Sequence, residues 1–167
     1  MKKIFTLAVC AMMAMTAFAQ KFGNINMSEV FEMMPEKAQV QKDMEALQAK
    51  YETELSKMGD EYQKKVSDYL AEQEGLEKNI AEARAQEIDQ LQQRIQNFRE
   101  MAAKDLQSQQ QAKVQPIIEK INKAIQAVGE KEGFTYIYDI SQGNILYFNP
   151  TQCVDVLPLV KKELGIQ

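Results

Sequence analysis

The middle of this chain is polar, yet its apolar residues recur with a helical period. Val40, Met44, Leu47, Tyr51, Leu55, Met58, Tyr62, Val66 and Tyr69 follow steps of 4, 3, 4, 4, 3, 4, 4 and 3 residues. Any three successive steps sum to 11. An 11-residue repeat has about 3.67 residues per turn, so the stripe runs nearly straight with a slight right-handed drift. A heptad coiled coil would alternate steps of 3 and 4 and supercoil to the left. A second stripe follows: Ile88, Leu91, Ile95, Phe98, Leu106, Val114, Ile117, Ile121, Ile125 and Val128. The two stripes predict a long antiparallel helical hairpin over residues 36–131, a coiled-coil-like arm. Each helix would have roughly 45 residues and a length of about 65 Å. The first stripe fades at Gln73 and Glu77. Equal arms place the reversal around residue 84, with Gly75 and the polar stretch to Gln86 as candidate turns. Pro116 removes one backbone donor from the return helix and is a candidate kink.

The flanks have a different texture. Lys21 to Asn26 reads as a short strand around Gly23. Asn26 with Glu29 three residues on resembles a capping box, and Val30, Phe31 and Met34 give the next helix one apolar side. Pro35 closes that helix and suits the first turn of the following one. Gly133 stands at a helix end. Phe134 to Tyr138 and Ile145 to Phe148 are rich in strand formers and flank a turn over Asp139 to Asn144, which predicts a β-hairpin. Val154-Asp155-Val156 leads into a last helix that runs through Leu164 and stops at Gly165. Such a sheet is too small to stand alone. Its first and last strands meet only if the helical hairpin brings its two ends together. The expectation is an α+β, mostly α chain: residues 20–35 and 132–167 form a small β-sheet body from which the arm projects. Exposed apolar faces on that body predict self-association.

The first residues add a compartment. Lys2 and Lys3 precede an uncharged apolar run, Ile4 to Ala17, and Ala17-Phe18-Ala19 carries small residues where signal peptidase reads. Residues 1–19 therefore read as a secretory signal peptide cleaved after Ala19. The run is too short for a spanning helix, which needs about 20 residues, so no stable membrane anchor is expected. Beyond residue 19 the chain has 18 Lys+Arg against 24 Asp+Glu, a net charge of about −6. An acidic chain is a poor match for nucleic acid. Cys153 is the one cysteine after the signal, so no disulfide forms within the chain, and a buried free thiol is expected.

Candidate chemistry is sparse. The chain contains no histidine, which removes the commonest general base and metal ligand. There is no phosphate-binding loop and no nucleophile motif. Glu72, Glu74, Glu77 and Glu82 are paired acids in a polar helical stretch, and a solvated helix face explains them better than a catalytic or calcium site. Gln107, Gln109, Gln110 and Gln111 likewise read as a solvated face. The expectation is a protein with no catalytic residues, no metal and no cofactor.

The chain resembles the Skp/OmpH family of periplasmic chaperones. The resemblance rests on Lys21-Phe22-Gly23-Asn24-Ile25-Asn26 with Ser28-Glu29-Val30-Phe31, on Lys123-Ala124-Ile125 through Lys131-Glu132-Gly133-Phe134 and Tyr136-Ile137-Tyr138-Asp139, and on Val154-Asp155-Val156 to Leu164-Gly165. It implies a homotrimer in the periplasm. The strands of three copies pool in one body, and the arms enclose unfolded outer-membrane β-barrel proteins, without ATP, until the outer-membrane assembly machinery receives them. The best-known members are basic, whereas this chain is acidic, so no lipopolysaccharide site is carried over. On this reading Tyr51, Met58, Tyr62, Tyr69, Phe98 and Met101 are client-binding candidates. The plainer alternative is that they only pack one helix on the other, and Met101, off the main stripe, is the better cavity candidate. Phe22, Ile25, Tyr136, Tyr138, Leu146 and Phe148 are oligomerisation candidates, the alternative being a core within one chain. A structural envelope scaffold that binds no client is the rival function.

Overall fold

The structure is a computed structural model that describes residues 20–143 and 145–166. The expected signal peptide, 1–19, lies outside the described residues. In chain order the elements are strand β1 (Lys21–Ile25), helix α1 (Met27–Met33), helix α2 (Pro35–Glu72), a 3-10 turn (Gln73–Gly75), helix α3 (Lys78–Glu132), strand β2 (Phe134–Asp139), strand β3 (Cys153–Asp155) and helix α4 (Leu157–Leu164). The mostly helical α+β class expected from the stripes holds. Two compact units divide the chain. One holds the described residues up to Met33 and those from Glu119 onward; the other is Met34–Ile118.

Met34–Ile118 is the helical pair. α2 runs 38 residues and has Pro35 in its first turn, where a missing N–H costs nothing. α3 runs 55 residues and carries Pro116 within it. The reversal occupies Gln73 to Glu77, so the candidate at Gly75 is right and the balance point near residue 84 is not. The helices are unequal because α3 continues to Glu132 and so serves both units.

The sheet unit has strand order β2-β1-β3, with both outer strands parallel to β1. The long helical pair is a crossover connection, which is what parallel pairing requires. The expected hairpin is corrected here. Ile145 to Phe148 is not a strand, and the third strand is Cys153–Asp155. β1 supplies the partner that a hairpin would have given β2. Asn149 then folds the connection: its carboxamide oxygen accepts from the Thr151 N–H (3.0 Å) and hydroxyl (2.8 Å). Its carbonyl accepts from Cys153 N–H at 3.0 Å, turning the chain onto β1's free edge.

Register decides which side chains are buried. Phe22 pairs with Tyr136 and Cys153; Gly23 pairs with Ile137 and Val154. The register shifts between Lys21 and Phe22, leaving Thr135 as an extra residue. That bulge puts Phe134 on the face of Gly23 and Ile137, and Tyr136 on the opposite face. The inner face packs with Ile25, Val30, Ile121, Ala124, Val128, Val156 and Val160, all buried. Ile25 is 1% exposed, so it is a core residue of its own chain and not an interface residue. A Cβ on Gly23 would lie 2.9 Å from Val156 Cγ1 and 3.1 Å from both Ile137 Cγ1 and Phe134 Cε1. Gly133 has φ +71° and ends α3 directly before β2.

Asp139 ties β2 to the start of α1. Its carboxylate accepts from Met27 N–H (3.2 Å), Ser141 N–H (2.9 Å) and the Ser141 hydroxyl (2.9 Å). Asn26 caps α1 in turn, accepting from Glu29 N–H at 3.2 Å. Partial burial pushes the Asp139 carboxyl pKa up, but these donors outweigh it and hold it below the ordinary value.

Gly23→Ala should destabilise the sheet unit by about 1–3 kcal/mol, since the new methyl overpacks Val156; chemical denaturation followed by circular dichroism measures this. Because folding lowers the Asp139 pKa, its contribution is complete above the unfolded carboxylate value near 4 and is lost as pH falls through the folded value. Asp139→Ala should cost about 1–2 kcal/mol at neutral pH, as a lost cap does. Its stability should also fall less than wild type between about pH 5 and 2 in acid titrations followed by circular dichroism.

Candidate functional site

Two surfaces carry the residues singled out from the sequence. The first is the helical pair of Met34–Ile118. Its cross-links are polar and antiparallel in order. Lys113 Nζ donates to Asp43 at 2.7 Å, the Tyr51 hydroxyl to Asp105 at 2.6 Å and Lys65 Nζ to Glu87 at 2.9 Å, while Arg84 donates to Glu72 next to the turn. The hydrogen bond from Lys113 lowers the Asp43 pKa, the bond to Asp105 raises that of Tyr51, and the bond from Lys65 lowers that of Glu87. These groups are solvent-screened, so they fix register more than they stabilise. Glu72 is thus a tie across the reversal and not only part of a solvated face.

The apolar stripe is thin. No residue of α2 is fully buried, and the buried side chains of the pair include Met34, Leu91, Ala102 and Ile117. Tyr51 meets Phe98 edge-on with ring centroids 5.8 Å apart. Those two therefore pack the helices together, as the plainer alternative has it, though both remain half-buried. Met58, Tyr62 and Tyr69 are also half-buried. Tyr62 lines an open cleft of about 750 Å³ with Leu55, Gly59, Ile95, Gln96 and Arg99. Met101 is 54% exposed and sits in a shallow groove with Asn97, Glu100, Lys104 and Asp105. Leu70 and Ile80, on either side of the reversal, are also exposed. The sequence reading passed over both, although Leu70 lies off the stripe just as Met101 does.

The second surface is the outer face of the sheet. Phe22 and Tyr136 stack at 6.3 Å, and Tyr136 and Tyr138 at 5.8 Å. Tyr136 is 58% exposed and Tyr138 is exposed beside it. Cys153 shares this face through its pairing with Phe22 and is half-buried, not the buried thiol expected. In the connection before β3, Leu146 is 98% exposed and Tyr147 80%, while Phe148 is half-buried. Tyr147 was not singled out from the sequence, because the expected hairpin gave it no distinct role. The two surfaces offer wide contact area. No group of acidic residues or cysteine that could hold a metal ion occurs among the described residues. No described helix is long and apolar enough to cross a membrane.

Comparison with known proteins agrees with this architecture. The fold is similar to the crystal structure of a protein from Caulobacter crescentus described as an OmpH-like outer membrane chaperone, with a TM-score of 0.72, 12% identity, and coverage of 87% of this chain and 83% of that one. No curated protein sequence is a significant match. The sequence pattern of the family described as "Outer membrane protein (OmpH-like)" matches residues 21–164, so nearly the whole described chain is accounted for. The chain belongs to the OmpH-like family of outer membrane proteins.

Proposed function

We propose that this chain is a periplasmic holdase chaperone. It works without ATP as a homotrimer, holds unfolded outer-membrane β-barrel proteins between its helical arms, and yields them to the outer-membrane assembly machinery. The observation that carries the reading is the helical pair itself. α2 spends 38 residues without burying one fully, and its tyrosines and methionines stay half-open. A stripe so poorly covered is a weak core but a broad, adaptable contact surface. Methionine conforms to irregular partners, and tyrosine offers an apolar ring with a polar tip. Many weak contacts let a client leave without nucleotide energy. The Caulobacter crescentus structure, described as an outer membrane chaperone, supports the same reading through its fold. Self-association follows from the outer sheet face, where Phe22, Tyr136 and Tyr138 form a stacked aromatic patch that one chain leaves open.

The mature protein should suppress aggregation of a β-barrel protein diluted from urea at about one trimer per client; light scattering that rises as fast with the protein as without it would sink the proposal and favour the scaffold. Met101→Ser should weaken client capture by about two- to fivefold, the effect of losing one exposed apolar contact, and leave the melting temperature unchanged. Leu91→Ala, by contrast, should cost about 2–5 kcal/mol of stability, since its side chain is buried. Fluorescence titration with a labelled client and thermal denaturation separate the two effects.

A further inference from the structure

The end of the helical pair that carries the reversal is held together by charge rather than by packing. Between Met34 and Leu91 no described residue is buried. Two ion pairs join α2 to α3 in this region: Lys65–Glu87, with Nζ 2.9 Å from the carboxylate, and Arg84–Glu72. All four side chains are more than a third exposed. Away from the turn, the segment is bounded by the open cleft of about 750 Å³. No side chain from Gly59 fills that cleft, and a Cβ there would touch nothing within 4 Å. Leu55, Tyr62 and Ile95 in its walls therefore leave the apolar seam open at this level.

We propose that residues 60–90 form a latched tip: Lys65–Glu87 and Arg84–Glu72 hold it closed, and loosening these pairs parts the two helices and bares Tyr62, Val66 and Tyr69. The latch gives the holdase surface a regulator, ionic strength. It relies on the holdase reading for its client, whereas the opening itself relies on the helical pair alone. Exposed ion pairs are individually weak and are screened by salt. That weakness suits a latch, because little apolar packing has to be undone when the helices part. Tyr62, Val66 and Tyr69 are half-buried when closed, and Leu70 and Ile80 already stand in solvent. The other charges near the turn do not oppose this. Lys64–Asp68 lies within α2 and Lys78–Glu82 within α3, so both pairs persist in either state. Glu72, Glu74, Glu77 and Glu82 are close along the chain and stay neighbours whether the helices are together or apart. Their mutual repulsion changes little on opening, so salt acts mainly through the two cross-helix pairs.

Hydrogen exchange read by mass spectrometry tests the opening on the mature wild-type protein. Raising sodium chloride from about 0.01 M to about 1 M shortens the screening length from about 30 Å to about 3 Å. Amides of residues 60–90 should then exchange at least about threefold faster, the scale of two exposed ion pairs. Amides around Ile121, in the buried core of the sheet unit, should not change. The double variant Glu72→Gln/Glu87→Gln should exchange at low salt as the wild type does at high salt, and lose the salt dependence. Glu74→Gln/Glu77→Gln alters net charge equally, touches neither pair and should behave as wild type. At low salt the first variant should also bind a labelled, urea-unfolded β-barrel protein about threefold more tightly than the second, by fluorescence titration. Tip exchange that ignores salt in the wild type, or that follows salt equally in Glu72→Gln/Glu87→Gln, overturns the latch. A tip that opens as expected while both variants bind the client equally overturns its control of capture. Should the wild type bind no client at any salt while its tip opens on schedule, the holdase reading falls and the latch stands.

Discussion

The sheet of this protein depends on β1, a five-residue strand at the start of the described chain, lying between two strands from its far end. β2 and β3 touch β1 and not each other. Neither can form a sheet until the intervening helices have brought the ends together. Loop closure over such a distance is entropically costly, though the cost grows only slowly with length. A helical hairpin lessens it, since an antiparallel pair returns the chain near its start. Gly23 lets the centre of β1 close onto Val156, Ile137 and Phe134 without a side chain in the way. Asp139 and Asn26 then secure the junction where β1 passes into α1.

The two units solve opposite problems. The sheet unit concentrates its apolar residues into a core of full burial: Ile25, Val30, Ile121, Val128, Val156 and Val160. The helical pair spreads a thin stripe over a long surface and holds register with polar ties from Asp43–Lys113 to Glu72–Arg84. Ties of this kind are screened by water and add little stability. One unit is closely packed and the other sparingly so.

The chain is acidic, with a net charge of about −6 beyond residue 19. Its exposed apolar residues on the helical pair, Met101, Leu70 and Ile80, sit among charges of both signs, with Glu100 and Lys104 around Met101.

Much of this was legible in the residues. The stripes from Val40 to Tyr69 and from Ile88 to Val128 determined two long helices, because helical burial is periodic and local. Pro35, Gly133 and Gly165 marked helix ends for the same reason. The off-stripe position of Met101 foretold its exposure. Only the tertiary structure decided the sheet. Strand formers at Ile145–Phe148 look as good as those at Cys153–Asp155, and propensity does not say which segment finds a free backbone edge. Simple alternation would put Phe134 on the same face as Tyr136 and Tyr138, but the bulge at Thr135 sends it inward. Ile25 passed for an interface residue until its partners across the chain buried it. Strand partnership and facing depend on contacts between residues distant in sequence, which no local pattern records.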